Sequence, residues 1–289
     1  MKCTKPILFI IYICLLFSCS NEKRSGTVLA IPIYGQSLAL GEESIRITNF
    51  DTFINKCKHR VLTENLDEDF GYFSDTHLKQ RFKKLIGDKR RAFELSIYGM
   101  SELLCDYFDK KGVGDSLLIC TFPGGQGATG INDLSKNSKA YTKFLEELKD
   151  AYETAKDQGL NFVVPAFCWM QGENDVVWGT SKNYKEDLKK FHSDFNKDVK
   201  AITKQKEDVV CICYQTNCIT LSKKYTPEHF SDYNCDVTAV PQAQMELVRD
   251  DPFFIASGPV YPYSFVENER VHLDGLSQKK IGYLAGLSV

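Results

Sequence analysis

The chain has few histidines and no cysteine pattern that would bind zinc. Only five histidines occur among 289 residues, and none of the 11 cysteines belongs to a Cys-x-x-Cys pair or to a Cys/His cluster. A structural zinc site needs four such ligands at short spacings, so we expect no metal site. Several cysteines lie inside short apolar runs and are interpreted as small buried thiols, namely Cys120, Cys168, Cys211 and Cys213.

A single stripe of basic residues is also missing. The chain carries 36 Lys and Arg against 38 Asp and Glu, which gives a net charge of −2. No stripe of basic residues with interleaved aromatics is present, and such a stripe is the usual electrostatic signature of a nucleic-acid binder. Nucleic acid is therefore not an expected partner.

No apolar run is long enough to span a bilayer, which takes roughly 20 residues in a helix. The longest run, 6–17, follows Lys2 and Lys5 and is typical of a secretory signal peptide. It ends in Leu16-Phe17-Ser18-Cys19, which resembles the lipobox of bacterial lipoproteins. The resemblance implies a signal peptide over 1–18, lipidation of Cys19, a polar tether over 19–26 and anchoring in the bacterial cell envelope. The alternative is ordinary cleavage near Ser18, which would release a secreted protein.

After the tether, short apolar runs alternate with segments of helical periodicity. Strands are expected at 28–34, 116–122, 161–170, 208–215 and 253–256. Helices are expected at 93–107, 138–158, 184–204, 237–248 and 276–287. This alternation predicts one α/β domain over 27–289, with a central parallel sheet of about five strands and helices on both faces. Residues 42–91 show no clear periodicity and are interpreted as an excursion beside the site.

Ser37 is the candidate nucleophile. It lies on the Gly35-Gln36-Ser37 turn, directly after the first apolar run. A strand end fixes the position of such a serine, and a glycine-led turn leaves its hydroxyl and its backbone N–H exposed. Motifs after the second and third strands, at Gly124 and Gln171, are expected at the same edge of the sheet, because ligands of open parallel sheets bind at the carboxyl ends of the strands.

His272 is the candidate general base. It follows the last strand and precedes the last helix, so its loop can return to the edge that carries Ser37. Glu269, three residues earlier, can bond the far ring nitrogen and fix the tautomer. Glu267, Asp274 or a backbone carbonyl could serve instead of Glu269, and that choice stays open here.

Three donors are candidates for holding an oxyanion. These are the N–H of Ser37, a backbone N–H of the Gly124-Gly125 pair, assigned to Gly125, and the side-chain amide of Gln171. As an oxyanion donor, Gln171 would contribute roughly 10²–10³ to the rate. Glu173 and Asp175 are expected to organise the loop that follows Gln171.

Together these blocks resemble the SGNH hydrolase superfamily, and its sialate O-acetylesterase-like carbohydrate esterases in particular. The similar parts are Gly35-Gln36-Ser37, Gly124-Gly125, the run Gln171-Gly172-Glu173-Asn174-Asp175, and the Glu269-x-x-His272 spacing. The resemblance implies a three-layer, flavodoxin-like fold and a serine esterase that removes acetyl groups from sugars or glycans. It implies Ser37, His272 and Glu269 as catalytic residues, Gln171 as an oxyanion donor, and no metal or cofactor.

The chain departs from that pattern in two places. Glu269 stands where aspartate is usual, and Gln126-Gly127 follows the paired glycines where Ser or Thr is usual. Two other functions are kept as alternatives. One is a lipoprotein that binds glycans on a degenerate esterase fold without turnover. The other is an acyl transferase that uses the same acyl-enzyme.

Overall fold

The structure is a computed structural model, which describes residues 26–57, 61–63, 83–84, 93–113, 116–217, 236–267 and 271–289. Its strands are β1 Thr27–Ala30, β2 Ile33–Gly35, β3 Val61–Thr63, β4 Lys83–Lys84, β5 Leu117–Cys120, β6 Pro123–Gly125, β7 Asn161–Val163, β8 Ala166–Met170, β9 Val210–Gln215 and β10 Phe254–Pro259. Its α-helices are α1 Phe50–Cys57, α2 Ser96–Lys110, α3 Ile131–Leu134, α4 Lys139–Asp157, α5 Glu173–Val177, α6 Tyr184–Thr203, α7 Ala239–Asp250 and α8 Gly275–Ser288.

Three of the expected strands each consist of two consecutive segments. β1 and β2 are separated by Ile31 and Pro32, yet the pairing continues across the break, since the N–H of Ile31 donates to Cys120 O and the N–H of Ile33 to Phe122 O. Pro32 has no N–H to donate, which accounts for the interruption. β7 and β8 are likewise separated by a segment that contains Pro165.

The strand order is the one that the resemblance implied. β1 pairs in parallel with β5 and β7, β2 with β6 and β8, and β9 lies between β8 and β10. At one edge, β3 also pairs in parallel with β5 and carries β4 as an antiparallel neighbour. Apart from these two edge segments, and with β1–β2, β5–β6 and β7–β8 each taken as one strand, the five predicted strands lie in the order second, first, third, fourth, fifth. This is the flavodoxin-like order, so the prediction of a flavodoxin-like α/β sandwich is confirmed.

Alternating side chains of the sheet build two separate cores. Val28 and Ala30 face a core completed by α3, α4, α6 and α7, whereas Leu29 and Ile31 face a core completed by α1, α2 and α8. Successive side chains of a strand point to opposite faces of the sheet, and here both faces are covered by a core. Residues that point to either face are therefore apolar, which explains the continuous apolar sequences. The sheet lies between two helical layers, as predicted.

The expected helices occur within a few residues of their predicted bounds, and the excursion over 42–91 contains α1, β3 and β4. Cys120, Cys168, Cys211 and Cys213 are buried, as interpreted from their apolar surroundings. In the part of the chain that the structure describes, every helix is too short or too polar to cross a membrane. The predicted signal peptide and most of the tether lie outside the described residues.

Candidate active site

Ser37 lies two residues beyond the end of β2 and is almost completely buried. The turn is held in place because the N–H of Gln36 donates to Met170 O, at the end of β8, over 3.0 Å. Gly35 allows this close approach, since a Cβ there would lie 1.9 Å from Met170 O. Only glycine therefore fits at the end of this strand.

His272 lies in the loop between β10 and α8. A short antiparallel bridge, Phe265 with Leu273, holds the loop, and the N–H of Val266 donates to His272 O over 2.9 Å. α8 then begins at once, with the Asp274 carboxylate accepting the N–H of Ser277 as its N-cap. The ring is thus carried by a segment that the bridge and the helix cap hold in place.

The structure brings Ser37 and His272 together across 235 positions of sequence. His272 Nε2 lies 2.8 Å from Ser37 Oγ, which is the distance of a hydrogen bond between a nucleophile and its base. Glu269 lies outside the described residues, so its assignment as the orienting acid stays a prediction. Of the alternatives, Asp274 is engaged as the helix cap, and Glu267 is exposed.

The other described histidine is a core residue. His192 of α6 is buried against Phe167, Phe253 and Phe254, and its Nε2 bonds with Val209 O over 2.7 Å. Burial lowers the pKa of His192, which keeps the ring neutral. Of the two histidines that the structure describes, His272 is therefore the one at the serine.

Two backbone N–H groups are available beside Ser37. In the described part of the chain, no carbonyl accepts the N–H of Ser37, whose own carbonyl accepts from Leu40 and Glu42. In the β2–β6 ladder, Gln126 donates to Gly35 O, and a parallel ladder then leaves the intervening N–H of Gly125 unused. Both groups are where sequence analysis placed oxyanion donors.

The Gln171 side chain has a different environment from the one expected. Its amide is fully buried, and Nε2 donates to Asp175 Oδ2 over 2.5 Å and to Thr129 O over 3.2 Å. The amide oxygen accepts from the Tyr184 hydroxyl over 3.0 Å. An amide has two N–H bonds, and both are engaged here, so neither is left for an oxyanion. This geometry does not support the expected oxyanion role.

The residues after Gln171 hold the loop together. Asp175 accepts from Ile131 N and Thr180 Oγ1, and Glu173 accepts from the Tyr214 hydroxyl over 2.8 and 2.6 Å. Both carboxyl groups are buried, and burial raises the pKa of each. Their partners are all within the protein, in agreement with the organising role expected for them.

Gln36 and Glu42 were not singled out by sequence analysis. Gln36 Oε1 accepts the N–H groups of Gly172 and Asn174, both over 3.3 Å, and so ties the serine turn to the loop after β8. Glu42 returns over Ser37 because 37–43 is a run of turns. In such a run of turns the residue five positions after the serine lies next to the serine again. The position of Glu42 five residues after Ser37 is therefore the feature of the sequence that could have identified it.

Replacement of Gln171 by alanine separates the two roles. We expect a loss of about 1–3 kcal/mol in the free energy of unfolding, because Asp175, Tyr184 and Thr129 O each lose a buried partner. The turnover number on an aryl acetate should fall by less than the roughly 10²–10³ that an oxyanion donor supplies. Urea unfolding and steady-state kinetics measure both quantities.

Gln244→Ala is the matched control. Gln244 Nε2 donates to Gln171 O and Oε1 accepts from Thr216 N, so this variant weakens the same loop without removing the Gln171 amide. Similar losses of stability and turnover in both variants are expected. A turnover number that collapses only in Gln171→Ala, at similar stability, would restore the oxyanion role.

Solved structures with this fold include proteins that act on esters. A protein from Arabidopsis thaliana matches with a TM-score of 0.60 and 13% identity, over 91% of this chain and 97% of its own. NanS matches with a TM-score of 0.54 and 12% identity, over 89% and 94%. A carbohydrate acetylesterase from Xanthomonas citri matches with a TM-score of 0.51 and 12% identity, over 90% and 55%. At sequence identities this low, the structural similarity establishes the fold alone.

A family profile described as carbohydrate esterase, sialic acid-specific acetylesterase, matches residues 110–284. The match spans more than half of the chain and includes Gly125, Gln171 and His272, whereas Ser37 precedes it. A search among curated proteins finds no match. With its parallel sheet and the serine–histidine pair at the sheet's edge, the chain belongs to this family of carbohydrate esterases.

Proposed function

We propose that the protein is a serine carbohydrate esterase that removes O-acetyl groups from sugars or glycans through an acyl-enzyme. The observation that carries the proposal is the 2.8 Å contact between Ser37 Oγ and His272 Nε2 at the carboxyl edge of the sheet. Family membership supports hydrolysis of an ester on a carbohydrate. The likeness to a carbohydrate acetylesterase from Xanthomonas citri supports the acetyl group.

The mechanism begins with proton transfer. His272 takes the hydroxyl proton of Ser37 as the oxygen attacks the ester carbonyl, and the N–H groups of Ser37 and Gly125 hold the oxyanion. His272 then gives the proton to the departing sugar oxygen. Water, activated by the same imidazole, releases acetate and restores Ser37. Glu269 is assigned to orient the ring, as its position three residues before His272 suggested.

The cellular location of the esterase in this proposal is inferred from its N-terminal segment. Cleavage before Cys19 and lipidation of its thiol would tether the esterase to the cell envelope, close to acetylated polysaccharides. The resemblance of 16–19 to a lipobox supports this.

The test is acetate release by the purified protein from an aryl acetate and from a mixture of acetylated glycans. We expect acetate from both, with no metal added. Transfer of acetyl to an added sugar in preference to water would replace the proposal with an acyl transferase. Glycan binding without acetate release would replace it with a binding protein.

A further inference from the structure

Glu42 is an acidic side chain that the mechanism does not use. Its N–H donates to Ser37 O over 3.0 Å, so the residue lies directly over the serine turn. Its carboxylate packs against Gly127, where a Cβ would lie 2.5 Å from Oε1 and 2.9 Å from Oε2. Gly127 is two residues from Gly125, whose N–H is assigned to the oxyanion. The carboxylate is therefore beside the oxyanion loop.

Glu42 belongs to none of the ion pairs formed within the described ranges, in contrast to Glu102, which pairs with Lys56 and Lys279. Burial raises the pKa of Glu42, His272 lowers it, and the nearby Glu43 raises it further. Glu42 thus lies close enough to the catalytic ring to interact with it electrostatically, and Glu43 is a second acid next to it in the sequence.

The half-buried carboxylate of Glu42 affects which substrates bind beside the oxyanion loop. It accepts hydrogen bonds from hydroxyl or ammonium groups, and it repels an anion more strongly than it would in water, because the effective dielectric constant is lower there. In the proposed reaction the acyl part of the ester is only an acetyl group. The sugar is therefore the part of the substrate that is large enough to reach side chains around the oxyanion loop, such as Glu42.

We propose that Glu42 is a specificity-determining residue whose carboxylate contacts the sugar of the substrate. It favours acetylated sugars that are neutral or carry an amine, and it disfavours anionic sugars such as sialic acids. This inference rests on the proposed function for the identity of the site. It narrows the substrate class within a family whose name refers to an anionic sugar.

The test uses three acetate esters that differ in charge and share one type of leaving group. They are the acetates of p-hydroxyphenylpropanoate, of its primary amide and of p-hydroxyphenylpropyl-trimethylammonium. The phenol is insulated from the charge by the alkyl chain, so the esters have similar intrinsic reactivity. kcat/KM is measured for each ester at low and at high salt.

We expect the wild-type protein to hydrolyse the cationic and neutral esters in preference to the anionic one, by roughly fivefold per unit charge at low salt. Glu42→Gln should remove most of this preference by raising kcat/KM for the anion relative to the neutral ester. High salt should reduce the preference in the wild type. Glu43→Gln is the matched control, because it removes the same charge from an exposed neighbour, and it should have a smaller effect.

Two results would overturn the inference. One is a wild-type protein that shows no preference among the three esters. The other is a Glu42→Gln variant whose kcat/KM changes by the same factor for all three, which would mean that Glu42 acts only on His272. The proposed function fails separately, by a lack of phenol release. In that case the dissociation constants of the corresponding acetamides, measured by calorimetry, still decide the charge preference.

Discussion

Ser37→Ala is expected to lower the turnover number on an aryl acetate by about 10⁴–10⁶, which is the range for loss of a catalytic serine or its base. The reason is that alanine removes the oxygen that lies 2.8 Å from His272 Nε2, and with it the nucleophile that this base activates. The free energy of unfolding should change little, because the Ser37 hydroxyl bonds to the His272 ring, which is itself partly exposed. Acetate assays and thermal melting measure the two effects.

The double variant Ser37→Ala/His272→Ala is the internal check. If the two residues act as one unit, the double variant is no slower than either single variant, because the second change removes nothing that the first has left working. Ser135→Ala, at a serine whose hydroxyl only donates to Ile131 O in a neighbouring turn, should retain activity. Full activity in Ser37→Ala would show that Ser37 is not the nucleophile, and the proposed mechanism would then be wrong.

Gly125→Ala should have the second large effect, on the free energy of unfolding and on activity together. Gly125 has φ +124°, and a Cβ there would lie 1.8 Å from Gly35 O, in the backbone of the neighbouring strand. Strand β6 must move or the residue must change conformation, at a cost of about 2–5 kcal/mol for strain and clash combined. Either response displaces the N–H assigned to the oxyanion. Denaturant unfolding and kcat on an aryl acetate measure the result.

Gly159→Ala is the matched control for backbone strain without a clash. Gly159 also has a positive φ, +71°, but a Cβ there would meet nothing within 4 Å. We expect this variant to lose only about 1–2 kcal/mol, the cost of a left-handed conformation, and to keep its turnover number. If the two variants behaved alike, the close approach of β6 to Gly35 would not matter to the site.

Much of the architecture could be predicted because buried strands and helices have characteristic apolar patterns in the local sequence. The strands of the sheet pack against helices on both faces, so they appear as continuous apolar runs, and the helices carry one apolar stripe each. The excursion over 42–91 could not be interpreted in this way. Its elements are short, and α1 owes its place to packing of Phe53 and Cys57 against the core beneath α2.

The serine and the histidine could be predicted for a related reason. Parallel strands end at one edge, so residues that follow different strands are brought together there whatever their separation in sequence. That argument places a residue at the edge, but it does not say where the side chain points. Gln171 follows β8 as expected, yet its amide donates to Asp175 and Thr129 O inside the protein.

The order of the amino acids alone determined the periodicity of the apolar residues. That periodicity determines the sheet, its helices and the convergence of Ser37 with His272. What required the tertiary structure was the direction of individual polar side chains. An amide or a carboxylate reaches several partners equally well from a given backbone position, and only the packed neighbours select among them. Those neighbours engage the Gln171 amide within the protein and place the Glu42 carboxylate against Gly127 at the site.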